Sequence, residues 1–277
     1  MRSGFKDSRA AKVLMVLVLV CCVAAAGYAF SHSASRQIPP EETVPSTSEP
    51  QKEVAAEDKK ETEEKQEKVH LTADEMREAL KIKEDLRESF VHGEKPLKYQ
   101  KYIVMHDTET LSPASEIISG WDANGRRVAA HFVVNTDGSI VQCVPLQKIA
   151  HHAGYGDTGH NQKYGVSEDG RDDMAGSTPI GSHMSDYGMN AWSVGIEMVH
   201  VSDGSKYPQA QLESVDKLIH YIDTYFNNEN KIIDHKSWRT GNSDCSEEFQ
   251  PYLKNLQKGL THDGKSRDNL FTSKAKQ

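Results

Sequence analysis

Five short apolar runs, separated by polar turns, constrain the fold of this chain more than any other feature. Runs of this length and composition are typical of buried strands. They are KYIVMHDTET from Lys101, Arg127–Val134, Ser139–Val144, Ala191–Val199 and Lys231–Ile233. Asn135–Gly138 carries the Asp-Gly signal of a hairpin turn between the second and third runs.

An amphipathic helix separates the last two runs. It begins after Pro208, and its apolar residues recur every three or four positions: Leu212, Val215, Leu218, Ile219, Ile222 and Phe226. Strands, a hairpin, a strand, a helix and a strand in this order predict the α/β class. We expect a single domain at residues 98–262, with a central mixed β-sheet flanked by helices.

Residues 1–30 have the layout of an export segment. Basic residues precede Val13–Ala26, which is continuously apolar, and small residues follow for cleavage. Extended to Phe30, the apolar run has 18 residues, near the lower limit for a membrane span. A cleaved signal peptide and an uncleaved anchor both remain open. In either case we expect export to the cell envelope, secreted or membrane-anchored, with membrane contact only through this segment.

Residues 31–70 are rich in Pro, Ser, Glu and Lys, with almost no aromatic residues, and predict a disordered acidic linker. Between Glu41 and Lys68, ten acidic residues and five lysines give −5 of the chain's net charge of −8. The absence of a basic surplus argues against a nucleic-acid partner. Thr72 and Glu75 form a capping-box pattern, which predicts a helix at residues 71–93 that packs on the domain or belongs to the linker. Residues 263–277 read as a polar tail.

The cysteines argue against a disulfide framework, because only two of the four lie in the predicted domain and their contexts differ. Cys143 lies in the run IVQCV and is interpreted as a small buried residue. Cys245 lies in a polar loop, where a metal ligand or a reactive thiol is the better explanation.

Three residues of metal-ligating type are expected to meet at one edge of the sheet. His106 and His235 each end an apolar run, and Cys245 follows on the loop after His235. Strand ends project side chains into a common crevice in α/β sheets. Two histidines and a cysteine leave a fourth tetrahedral position open, as in catalytic zinc sites. We therefore predict Zn²⁺ bound by His106, His235 and Cys245.

Glu197 is an acidic residue within the otherwise apolar run AWSVGIEMV. Its burial is costly unless it faces a cleft or a partner. In a cleft it could take a proton from water and pass it to a leaving amine. A buried ion pair is the alternative.

Taken together, the segments IVMHDTET, AAHFVVNTDGSIVQCVP, HHAG, NAWSVGIE and DHKSWRTGNSDCSEEF resemble the zinc-dependent N-acetylmuramoyl-L-alanine amidases, related to phage-type amidases and peptidoglycan recognition proteins. The resemblance covers roughly residues 98–255 and depends on the ordered set of motifs. It implies a mixed sheet with zinc in a groove, held by His106, His235 and, as Cys or Asp after a loop, Cys245. It also implies that Glu197 is catalytic.

Other positions of the groove follow from the same resemblance. His152 matches the groove-lining His-Ala-Gly motif, and His151 stands where many members have Trp. Many members carry a Lys two residues before the third ligand; Ser243 stands here, so its hydroxyl is the expected, uncharged aid to the oxyanion. We further expect substrate contacts from His131, which is either a core or a groove residue, and from Trp192, which could stack on sugars.

These expectations add up to a monomeric zinc amidase that cleaves the bond between N-acetylmuramic acid and L-alanine in peptidoglycan. One alternative is a non-catalytic peptidoglycan-binding module of the same fold. Another is a Cys–His hydrolase with Cys245 as nucleophile, although the neighbouring Asp244 disfavours a reactive thiolate. The long polar loop at residues 155–190 is expected to form one wall of the groove.

Overall fold

The structure is a computed structural model that describes residues 70–173, 181 and 183–271. The predicted export segment lies outside these residues, as does the predicted acidic linker apart from His70. None of the helices in the described ranges is long and apolar enough to cross a membrane.

Six α-helices and eight β-strands are present in the described part of the chain. The helices are α1 (Ala73–Leu80), α2 (Ala114–Ala123), α3 (His160–Tyr164), α4 (Gln209–Phe226), α5 (His235–Trp238) and α6 (Gln250–Leu256). The strands are β1 (Lys83–Glu84), β2 (Tyr102–Asp107), β3 (Phe132–Val134), β4 (Ile140–Gln142), β5 (Gly156–Asp157), β6 (Met184–Asp186), β7 (Ser193–Met198) and β8 (Lys231–Asp234).

A six-stranded mixed sheet forms the centre of the fold, in the order β1-β4-β3-β7-β2-β8. The β3–β4 hairpin is antiparallel, as the Asp-Gly turn predicted, and the other neighbours are parallel. Strands β5 and β6 form a separate two-stranded sheet. The predicted α/β class with a central mixed sheet is confirmed.

Successive side chains of β2 point to opposite faces of the sheet and belong to two different apolar clusters. Ile103 and Met105 belong to the main apolar cluster, which also contains the buried residues of α4. Tyr102 and Val104 belong to a second cluster on the opposite face, with Trp238 of α5. Each fully buried apolar side chain stabilises the fold by roughly 1.5–3 kcal/mol. The next residue on the second face is His106, so this alternation brings a histidine to the edge where the strand ends.

The helix predicted at residues 71–93 is shorter than expected, since α1 spans Ala73–Leu80. The capping box is present, since the backbone N–H of Thr72 donates to Glu75 Oε2 at 2.8 Å. The helix ends at Leu80, because Lys81 adopts a left-handed conformation with φ of 52°. The chain then forms β1 and pairs with β4. This segment is therefore part of the domain and extends its sheet.

The described part of the predicted polar tail also packs on the domain. Arg267 is buried and lies 3.7 Å from Asp223 of α4. Phe271 packs against the main apolar cluster. The folded domain thus continues beyond residue 262, where the sequence predicted its end.

Candidate metal centre

Three potential ligands meet where two parallel strands end. His106 is the penultimate residue of β2, and His235 directly follows β8. The two strands are neighbours, with Met105 paired to Asp234, so the residues that follow this pair emerge at the same edge. Asp244, on the loop after α5, completes a buried group whose ligand atoms all lie within 4.8 Å of one another.

One carboxylate faces both histidines of this group. Asp244 Oδ2 lies 2.9 Å from His106 Nδ1 and 3.2 Å from His235 Nδ1. Two imidazole nitrogens and one carboxylate oxygen form a donor set that suits zinc, and three protein ligands leave a fourth position for water or substrate.

A chain of hydrogen bonds fixes which nitrogen of His106 carries the proton. Ser193 donates its hydroxyl to the carbonyl of Met189 at 2.7 Å, so its oxygen accepts from His152 Nε2 at 3.1 Å. His152 Nδ1 is then an acceptor, and His106 Nε2 donates to it at 3.1 Å. The lone pair of His106 Nδ1 therefore points at the carboxylate of Asp244. Such outer partners orient metal-binding histidines in known sites.

His235 is oriented in the same way by different partners. Its Nε2 lies 2.9 Å from the carbonyl of Ala153, which can only accept, so Nε2 carries the proton and Nδ1 keeps its lone pair toward Asp244. Two imidazole lone pairs thus face one carboxylate, an arrangement that calls for a cation between them. Burial lowers the pKa of His106, which disfavours a proton in that position. The residues present therefore fit a bound zinc ion.

The predicted third ligand is corrected from Cys245 to Asp244. The Cys245 side chain is fully buried within the main apolar cluster. Burial, together with the charge of Asp107, raises its pKa well above the ordinary value, which also argues against the thiol-nucleophile alternative. The side chain that the structure brings to the two histidines is thus that of the residue before the predicted one. As a result, the position two residues before the third ligand becomes Asn242 instead of Ser243.

Glu197 lies beside the candidate ligands. It is the register partner of His106 on the neighbouring parallel strand β7, so both side chains project from the same face of the sheet. Both line an open cleft of about 230 Å³, together with His235 and Asp244. Burial raises the pKa of Glu197 well above its usual value, and the charge of Asp244 adds to the effect. A carboxyl group tuned in this way suits proton transfer near neutral pH.

Ser243 also lines the cleft, but its hydroxyl already has a partner. It donates to Glu109 Oε1 across the cleft. Glu109 has a φ of 53°, a conformation that residues other than glycine seldom adopt. This pair places a second carboxylate in the cleft, and it leaves the hydroxyl proton of Ser243 engaged.

The three predicted substrate-binding residues occupy different environments. His152 lines the cleft and supports His106, and it fits over β7 because Gly195 has no side chain; a Cβ there would lie 2.6 Å from the His152 ring. His131 is instead a core residue, because it is fully buried with Nε2 on the carbonyl of Lys148 and Nδ1 accepting from Gly195. Trp192 is outside the set of cleft-lining residues. Its indole donates to the carbonyl of Ser167, and Lys101 stacks on its ring.

Sequence reasoning missed four residues of this site: Asp244, Asn242, Glu109 and Ser193. Asp244 could have been found, since the family resemblance allows Cys or Asp at the third position and the two residues are adjacent. The other three lie within the segments that carry the family resemblance, but nothing in the sequence separates them from their neighbours as residues of the site.

Comparisons with known proteins agree with the motifs. The sequence profile of the N-acetylmuramoyl-L-alanine amidase family matches residues 96–248. No curated protein matches the chain.

Several solved structures are similar to this chain. The N-acetylmuramoyl-L-alanine amidase LysC from Clostridium intestinale URNW aligns over 65% of this chain and 98% of its own, with 16% identity and a TM-score of 0.44. The catalytic domain of XlyA aligns over 65% and 98%, with 21% identity and a TM-score of 0.42. A mutant endolysin from Bacillus subtilis aligns over 65% and 97%, with 20% identity and a TM-score of 0.41. Because the family profile spans more than half of its length, this chain belongs to the N-acetylmuramoyl-L-alanine amidase family.

Proposed function

We propose that this protein is a zinc-dependent amidase that hydrolyses the bond between N-acetylmuramic acid and L-alanine in peptidoglycan. One observation carries the proposal: His106, His235 and Asp244 line the same cleft as Glu197. An open metal site beside a carboxyl group of raised pKa is the arrangement that hydrolysis of an unactivated amide requires.

Three residues of the cleft would bind the metal ion, and a fourth transfers protons. His106, His235 and Asp244 would hold the ion. When bound, zinc supplies Lewis acidity, which polarises the scissile carbonyl and makes a water molecule more acidic. Glu197 takes a proton from the attacking water as the new C–O bond forms at the carbonyl carbon of the muramic acid lactyl group. It then delivers that proton to the alanine nitrogen as the C–N bond breaks.

The cleft also contains groups that can position the substrate. Asn242 presents an amide beside His235, and Ser243 and Glu109 form a polar pair on the same rim. The stem peptide offers backbone amides and carboxylates, which these groups can bind by hydrogen bonds. We propose that Asn242 supplies a polar contact near the developing oxyanion, whereas Ser243 and Glu109 together bind the stem peptide.

We further propose that the protein acts outside the cytoplasm, where peptidoglycan lies. Support comes from the sequence, in which basic residues precede the apolar run Val13–Ala26. Localisation of a tagged full-length chain, with and without residues 1–30, tests this proposal. Equal export of the two forms would contradict it.

The activity is tested on purified peptidoglycan with zinc-loaded and metal-free protein. Mass spectrometry should detect stem peptides that begin with a free L-alanine amine, and the metal-free protein should release none. Release of fragments cut elsewhere would assign a different bond. Binding to the wall without release, in the presence of zinc, would identify a non-catalytic binding module.

A further inference from the structure

A second group of two histidines and an aspartate lies away from the cleft. Among the described residues, His92, His151 and Asp173 also bring their ligand atoms within 4.8 Å of one another. They are absent from the set of cleft-lining residues. His92 and His151 are buried, and the side chain of Asp173 is 41% exposed. This group therefore needs an explanation separate from the amidase site.

The distances in this group approach those of a tetrahedral ion site. Asp173 Oδ1 lies 2.8 Å from His92 Nδ1 and 3.4 Å from His151 Nε2. Ligand atoms on a tetrahedral zinc ion are about 3.3 Å apart, given bonds of about 2.0–2.1 Å. Asp172 Oδ1 lies 2.5 Å from the same nitrogen of His151, beside the group of three. The two imidazole rings stack almost in parallel, with centroids 3.2 Å apart, so one ring has to rotate for both in-plane lone pairs to meet one ion.

The hydrogen bonds of His92 leave a position for a cation. Its Nε2 lies 2.5 Å from the carbonyl of Arg127, which can only accept, so Nε2 carries the proton. In the neutral ring, Nδ1 then directs a lone pair at a carboxylate oxygen of Asp173. A second proton or a metal ion must lie between them.

The charges around the group also favour a cation. Asp172 and Asp173 are two carboxylates, and the guanidinium of Arg127 is 3.1 Å from Asp173 Oδ2 only. The other nearby guanidinium, that of Arg171, binds Asp169 at 2.8 Å and stacks on Tyr99 at 3.5 Å. The side chain of Asp172 is only 5% exposed, and a carboxylate buried to this extent requires positive charge nearby.

Backbone contacts hold the three ligand segments together. The N–H of His92 donates to the carbonyl of Ile149 at 3.0 Å, and the N–H of Asp173 donates to the carbonyl of His92 at 3.1 Å. Gly93 lies so close to Arg171 that a Cβ would come within 1.9 Å of its carbonyl oxygen. The backbone of these segments is therefore held in place before any ion binds, which reduces the entropy lost on binding.

We propose that His92 Nδ1, His151 Nε2 and Asp173 Oδ1, with Asp172 beside them, bind a second transition-metal ion, with zinc as the best match. Imidazole and carboxylate donors select this class of ion. Its role is structural, because it ties the segment at Asp172 and Asp173 to His92 and to the strand-edge loop that carries His152.

Metal stoichiometry tests this proposal independently of activity. Untagged full-length protein is loaded with zinc, dialysed and analysed by elemental mass spectrometry. We expect two equivalents in the unaltered protein and one in Asp173→Asn, a partly exposed position where the change preserves shape. Asp169→Asn is the matched control, since it alters an aspartate paired with arginine outside the group, and it should retain two.

A second pair of variants separates the two sites. Asp244→Asn should retain one equivalent, and the double variant Asp173→Asn/Asp244→Asn should retain none. Cobalt substitution of Asp244→Asn should give a visible d–d spectrum that disappears on adding His151→Phe. One equivalent in the unaltered protein, lost in Asp244→Asn and kept in Asp173→Asn, would overturn the proposal and leave an ion-pair cluster.

Discussion

The two His-His-Asp groups of this protein are built alike but open onto different surroundings. In each, one aspartate oxygen lies near two imidazole nitrogens, at 2.9 and 3.2 Å in the cleft group and at 2.8 and 3.4 Å in the His92 group. In each, a backbone carbonyl holds the Nε2 proton of one histidine. The donor chemistry alone therefore does not distinguish the groups.

The two groups differ in what lies next to their ligand atoms. The cleft group faces about 230 Å³ of open space, and Glu197 lies on the neighbouring strand. The His92 group has Asp172 on one side and the Arg127 guanidinium on its carboxylate. An open position beside a tuned acid is suited to catalysis, whereas a closed set of ligands is suited to structure. The following predictions test this distinction.

Removal of the cleft carboxylate should have the largest effect on activity. We expect Asp244→Asn to lower kcat/KM by about 10⁴-fold, which corresponds to ~5.5 kcal/mol of lost transition-state stabilisation. Cys245→Ala should retain activity within about threefold and only lower Tm, because the thiol packs in the core. Kinetics on purified peptidoglycan measure both. The opposite ranking of the two variants would restore Cys245 as the ligand.

Glu197→Gln should have the next largest effect. The amide cannot carry the proton from water to the leaving nitrogen, so kcat should fall by about 10³-fold. Its zinc content should stay equal to that of the unaltered protein, which separates proton transfer from metal binding. Glu116→Gln, at the start of α2, is a matched control and should be fully active. Full activity of Glu197→Gln would show that another group, such as Glu109, moves the proton.

The residues of these two predictions also show which parts of the fold and the site could be predicted from the sequence. The sheet, the hairpin and α4 could be predicted because apolar periodicity directly reports burial. The same periodicity predicted that His106 and His235 lie at the ends of strands and that Glu197 lies within a strand. Asp244 and Cys245 are adjacent in a loop without periodicity, so the sequence could not show which side chain turns toward the histidines. Cys245 was predicted because thiolates are good zinc ligands, but in the structure its side chain packs in the main apolar cluster.

The His92 group could not have been predicted from sequence. His92, His151 and Asp173 are separated by dozens of residues and lie in irregular segments, so their proximity depends on the tertiary fold. The same reason explains why residues 71–93 were read as one helix: the pairing of β1 with β4 is a long-range contact that overrides local spacing. Long-range contacts between irregular segments leave no local pattern to read.

Ser193→Ala should lower activity by about 10–100-fold through the metal ligand it supports. Without the hydroxyl, His152 Nε2 loses its acceptor, and the proton arrangement that directs the His106 lone pair toward Asp244 is no longer enforced. The effect should appear as weaker zinc binding in a competition titration with a chelator. Ser119→Ala, which removes an exposed hydroxyl bound to a backbone carbonyl, should change neither quantity. An unchanged zinc affinity in Ser193→Ala would contradict this relay.

Ser243→Ala should have a small effect, about threefold on kcat. Its hydroxyl donates to Glu109, so the proton is not free to stabilise an oxyanion. Loss of a true oxyanion donor costs about 10²–10³-fold in kcat. Steady-state kinetics therefore discriminate between the two roles. A loss of 100-fold or more would show that Ser243 turns from Glu109 to the substrate during the reaction.

Partial removal of metal with a chelator should have the smallest effect on kcat of all these changes, although the metal content of the protein falls. Arg127 already neutralises part of the charge of Asp173, so the His92 group should bind its ion more weakly than the cleft group. Increasing chelator should first remove one equivalent with kcat unchanged and Tm lowered, since an ion bound only to the folded state stabilises it. Activity should be lost only with the second equivalent. If activity instead falls in proportion to the first ion removed, the cleft group binds its ion more weakly than the His92 group. That result would contradict the predicted order of affinity of the two groups.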